Sequence, residues 1–118
     1  MNELLSYLLV VRNHAHILHW QTRSFAKHLA LGELYDGISD LTDEIAEIHM
    51  GTSSVTVSPQ PYSHQFSLSD DPIEFITTLN AFLVSASVVC DYSDGLKNKY
   101  DELLGLVAKT KYKLEKLS

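Results

Sequence analysis

Apolar residues recur along most of this chain at alternating steps of four and three, and only one long segment lacks the pattern. Leu4, Leu8, Val11, Ala15 and Leu18, continued by Thr22, form a single stripe on a helix of 3.6 residues per turn. Leu31, Leu34, Ile38, Leu41, Ile45 and Ile48 form a second stripe. Ile76, Leu79, Leu83, Ala86 and Cys90 make a third, and Leu103, Val107, Thr110, Leu114 and Leu117 a fourth. Period-two alternation, the mark of a half-buried strand, is almost absent. The spacing predicts helices over about 2–21, 25–50, 72–91 and 94–117.

Local signals agree with those bounds. Ser24 is placed to cap the second helix, and Gly51 to end it as the residue after the C-cap. Asp71-Pro72-Ile73-Glu74 sets an acidic N-cap, a proline at the first helical position and a glutamate at the third. The β-branched and proline-rich residues gather between the second and third helices, in a crossover over 52–70 that includes Val55-Thr56-Val57 and Pro59-Gln60-Pro61. Four amphipathic helices with two short turns and one long crossover describe an all-α antiparallel four-helix bundle. At 118 residues the chain is one domain, 1–118.

Composition narrows the classes of partner. A net charge of −6 argues against nucleic acid, whose phosphates are gripped chiefly by lysine and arginine. Lys109, Lys111, Lys113 and Lys116 form a basic cluster, read as a solvated face at the negative end of the last helix dipole. No apolar run approaches the roughly 20 residues of a membrane span. Cys90 is the single cysteine, so no internal disulfide forms and a reducing cytoplasm is the expected compartment.

The polar residues of the first two helices carry the chemistry. His19-Trp20 closes the first helix, His28 opens the second, and Asp43 and Glu47 follow one turn apart. Imidazole and carboxylate together suit iron, manganese or zinc. His28 and Asp43 are 15 residues apart, which at 1.5 Å per residue is about 22 Å along one helix. Within one chain they cannot share an ion. An antiparallel two-fold dimer sets the histidine end of one subunit against the carboxylate end of its partner. His14, His49 and His64 fit no cluster and are read as surface residues.

In this order the residues resemble the small ferritins of the Dps type, over about residues 1–51. The resemblance implies a ferritin-like bundle with a ferroxidase site across a two-fold interface, holding one or two irons. It further implies oxidation of ferrous iron by peroxide or dioxygen, and a homo-oligomer extending to a dodecameric shell. Carried over residue by residue, His19, His28, Asp43 and Glu47 take the ligand roles, and Trp20 and Tyr35 are the aromatic neighbours. The family's aspartate one turn after the second histidine falls on Gly32, so Glu33, Asp36 or His16 stands as a secondary ligand. An ungapped alignment puts His16 in the first histidine's place. Two other classes fit parts of the pattern. One is an all-α magnesium-dependent nucleotide pyrophosphatase using Asp43, Glu44 and Glu47 with Asp91 and Asp94. The other is a metal-free structural or interaction bundle.

Overall fold

The computed structural model describes residues 1–60, 66–89 and 92–117. Four helices run through the described residues: α1 (Asn2–Gln21), α2 (Phe25–Ser53), α3 (Pro72–Val89) and α4 (Asp94–Lys116). Residues 90–91, including Cys90 at the end of the third stripe and Asp91, lie outside the described residues, as does His64.

Capping explains where the helices start and stop. Ser24 Oγ accepts from Lys27 N at 3.2 Å and opens α2 after a three-residue turn. Ser93 does the same for α4 through Leu96 N at 3.4 Å. Asp71 O takes the first bond of α3 from Phe75 N at 2.8 Å. The end of α2 differs from the expectation. The helix runs through Gly51 to Ser53, and Ser54 takes the left-handed conformation at φ 60° as its cap. The Thr52 and Ser53 hydroxyls bond back to Ile48 O and His49 O, at 2.9 and 2.6 Å, and carry the helix past the glycine.

The path of the crossover fixes the topology. Ser58 N donates to Asn2 Oδ1 at 3.0 Å and Gln60 N to Ser6 Oγ at 2.6 Å, beside the start of α1. Near its far end Ser69 O meets His14 Nε2 at 2.7 Å. The chain therefore climbs along α1, and α3 starts at the end of the bundle that holds the α1–α2 turn. His14 packs by Phe75 and Tyr7 on Phe82, so α3 runs antiparallel to α1. Lys99 reaches Glu44 and Lys113 reaches Glu33, so α4 runs antiparallel to α2. All neighbouring helices are antiparallel, and the two diagonals are parallel.

Packing differs around the ring. α2 and α4 approach closely at Gly37, where an added Cβ would lie 2.5 Å from Leu106 Cδ2. α1 and α3 are bridged by large rings instead. Tyr7 stacks on Phe82 at 3.8 Å between centroids and meets Phe66 edge-on at 5.1 Å. Burial pushes the Tyr7 phenol up to about 12. Tyr100 Oη donates to Leu83 O at 2.6 Å and ties α4 to α3. Leu8, Val11, Leu31, Leu34, Ile38, Ile45, Leu79, Leu83, Leu103 and Val107 fill the centre, and each buried side chain of this kind is worth about 1.5–3 kcal/mol. The fourth stripe ends sooner than its spacing suggests, since Leu117 is 57% exposed and lies beyond α4. No helix among the described residues is long and apolar enough to cross a membrane.

Candidate functional site

The short turn after α1 brings His19 and His28 face to face. Their rings stack at 3.6 Å between centroids, 18° from parallel. His19 Nδ1 lies 2.6 Å from His28 O, and His28 Nδ1 lies 2.8 Å from His19 O. A carbonyl only accepts, so each Nδ1 carries the proton and donates. In the neutral form each Nε2 is then a bare lone pair, the state in which imidazole binds a metal.

Gly32 completes this seat. A Cβ there would lie 3.1 Å from His19 Cε1 and 3.3 Å from Nδ1, so the bare helix backbone is what lets the imidazole lie down on α2. The position read as a missing aspartate is the floor under His19.

His16 belongs to the same face but is held differently. Arg12 Nη1 lies 3.1 Å from its Nδ1, and a guanidinium only donates, so that nitrogen is the acceptor. The His16 ring stacks on Tyr35 at 4.0 Å and lies 4.2 Å from the Trp20 ring and 6.1 Å from His19. Loss of water around the ring holds its pKa below the usual histidine value, helped by the Arg12 charge and by His19 and opposed by Asp36. Arg12 is itself fixed. Its Nε donates to Ser39 Oγ at 2.9 Å, Ser39 donates to Tyr35 O, and the guanidinium sits 4.9 Å over the Tyr35 ring.

The acidic candidates sit elsewhere. Asp43 and Glu47 are exposed on the outer face of α2, and the helix between them and His28 is continuous. The separation of about 22 Å along the axis therefore stands. Asp36 is exposed on the same outer face, while Glu33 turns to α4 and pairs with Lys113. Glu44 is engaged by Lys99 at 3.3 Å. Among the described residues, no group of three or more His, Cys, Asp or Glu side chains is gathered as a metal cage.

Two features escape a stripe-by-stripe reading. Arg12, His16 and Trp20 follow at intervals of four, a line along α1 that could have drawn attention to Arg12. His14, read as a surface residue, is half-buried and pins the crossover through Ser69 O, with Asp70 Oδ1 at 3.6 Å.

A family model described as "Family of unknown function (DUF5856)" matches residues 19–114. The chain is also similar to an uncharacterized 14.6 kDa protein from the mobD-ri intergenic region of Enterobacteria phage T4. The two are 25% identical over 113 residues, covering 96% of this chain and 86% of that protein. No solved structure matches. These matches overturn the resemblance to the Dps-type ferritins, which rested on a few spaced residues of the first 51, whereas the family model reaches across α2, α3 and α4. The chain belongs to the DUF5856 family.

Proposed function

We propose that two copies of this chain hold ferrous iron between them, at a site for one or two ions that manganese or zinc could also enter. His19 and His28 of one copy face Asp43 and Glu47 of the other. The iron gives an electron to peroxide or dioxygen there, and the ferric product, which carboxylates favour, is retained. One observation carries the reading. Two adjacent imidazoles each spend Nδ1 on a backbone carbonyl, which is how proteins present Nε2 to a metal. The outer face of α2 supports a second copy, because it exposes Phe25 and Leu29 at one end and Asp36, Asp40, Asp43 and Glu47 at the other. An antiparallel two-fold contact brings these unlike halves together. The single cysteine agrees with a reducing cytoplasm.

Complementation tests the sharing of the site. His28→Ala and Glu47→Gln each lose zinc binding and iron oxidation when purified alone. Mixed and re-equilibrated, they regain about a quarter of the wild-type sites, because a mixed dimer holds one intact site and one doubly broken one. No recovery, or a wild-type chain that is monomeric with metal present, sinks the proposal. Magnesium-dependent hydrolysis of nucleotides by the wild type would instead point to the acidic cluster alone.

A second reading rests on Trp20, near the end of α1, and Phe25, at the start of α2, which are 66% and 73% exposed. Large exposed rings of this kind mark protein interfaces. A bundle that only docks on another protein would show that surface and bind no metal.

A further inference from the structure

Three nearby imidazoles invite the reading of three ligands, but their hydrogen bonds divide them into two kinds. We propose that His16 is the hydrogen-bond donor of this site, offering Nε2–H to hydrogen peroxide held against the His19–His28 pair, and is not one of the metal ligands.

The argument starts from Arg12. Its guanidinium is always charged and carries only donors, so Nδ1 of His16, 3.1 Å from Nη1, must accept. The proton of neutral His16 is then on Nε2. His19 and His28 are fixed the other way, because carbonyl oxygens take their Nδ1 protons. Within one cluster, two rings offer lone pairs and one offers an N–H. A nitrogen that carries a proton cannot bind a metal without losing it, and turning the ring to offer Nδ1 would break the Arg12 bond. Rotation is also opposed by the stack on Tyr35 at 4.0 Å and by Trp20 at 4.2 Å. Arg12 is anchored in turn by Ser39 at 2.9 Å, so the whole chain of contacts fixes one tautomer.

A donor beside a metal-binding lone pair suits an oxidant that is both ligand and acceptor. In the peroxide reaction two ferrous ions give one electron each to hydrogen peroxide. The O–O bond breaks, and two solvent protons complete two waters. A fixed N–H favours the charge that gathers on the oxygens as that bond breaks; loss of such a donor slows a reaction by about 100- to 1000-fold in a water-excluded site, and by less where, as at half-buried His16, water competes. This inference rests on the metal reading above, and the experiment separates the two.

Long-range nitrogen–proton NMR of the wild-type protein, without metal and then with zinc as a redox-inert probe, reads each ring nitrogen. The apo spectrum should show His19 and His28 as Nδ1–H tautomers and His16 as the Nε2–H tautomer. Zinc should move Nε2 of His19 and His28 while His16 keeps its Nε2 proton. Zinc bound at a His16 nitrogen, or an apo His16 in the Nδ1–H form, overturns the proposal alone. Zinc that moves none of the three overturns the metal reading and this inference with it. His16→Leu should leave zinc affinity within about 3-fold and slow peroxide-driven iron oxidation by about 10- to 100-fold. His16→Gln, which restores an N–H, should recover much of the rate. Equal loss of zinc affinity in both variants would make His16 a ligand.

Discussion

The two ends of α2 bear different kinds of titratable residue, set in opposite ways. At its start His28 is locked to His19 by two hydrogen bonds and a ring stack, and His19 lies on Gly32, where even a Cβ would crowd its ring. At its far half Asp36, Asp40, Asp43 and Glu47 stand in water on the outer face. The first end is part of what holds the hairpin together. The second can be altered without touching the core. A residue built into the fold is expected to cost stability when removed, whereas one kept for binding costs only binding.

The sharpest way to break this contrast is to remove one member at each end. His28→Ala deletes the bond from His28 Nδ1 to His19 O and the stack, while His19 Nδ1 keeps its bond to the backbone carbonyl of residue 28, a loss of about 1–2 kcal/mol if the bond contributes about 1 kcal/mol and the stack somewhat less. Thermal unfolding should fall by roughly 3–10 °C for a domain of this size. Glu47→Gln should stay within about 0.5 kcal/mol, the usual range for an exposed surface position. Under the proposal above both lose metal binding. If calorimetry finds His28→Ala as stable as Glu47→Gln, the clasp contributes nothing to the fold and the contrast fails.

Gly32 offers the next largest effect. Leucine there must push His19 off the surface of α2, since even a Cβ would stand 3.1 Å from Cε1. The expected cost is about 1–3 kcal/mol, typical of forcing volume into a packed place. Alanine is the finer probe. It gains up to about 1 kcal/mol of helix propensity over glycine and loses a similar amount if the ring must shift. Gly32→Ala should therefore be near neutral in urea unfolding, well apart from Gly32→Leu. A clear stabilisation by leucine would show that His19 does not need the floor.

The helices were legible in the sequence because each buries one stripe, and burial writes a period of 3.6 into the chain. α1 runs over Asn2–Gln21, the bounds its stripe implies. The end of α2 was not legible, because the glycine signal competes with two hydroxyl side chains that bond back to the helix. Their effect depends on rotamers that no spacing reveals. The meeting of His19 with His28 follows from a short turn between antiparallel helices. The reciprocal bonds, the role of Gly32 and the tautomer of His16 do not, since they depend on which ring nitrogen faces which carbonyl or guanidinium. Spacing alone also misled on kinship. Histidines at helix ends and an acidic pair one turn apart are a pattern that helix geometry permits in unrelated chains, and the family match spans the bundle instead.

Acidity gives the smallest effect and the most selective one. The pKa of His16 is lowered, first by loss of water around the ring, then by the Arg12 charge and by His19. A base whose folded pKa is depressed binds fewer protons folded than unfolded between the two values. Stability therefore falls as pH drops from above the ordinary value of 6.5 toward the lower folded one, and levels off below it. Melting temperature measured from pH 7.5 down to pH 5 should thus decline less in His16→Gln than in the wild type, with the two curves parting below about pH 6.5. Because the ring lies among Arg12, His19 and Asp36, the partner to vary is the nearest charge. Arg12→Gln keeps a donor for Nδ1 but removes the charge, and it should raise the His16 midpoint in a proton NMR titration. A midpoint unchanged or lowered by that substitution would mean that Arg12 fixes the tautomer of His16 without influencing its charge.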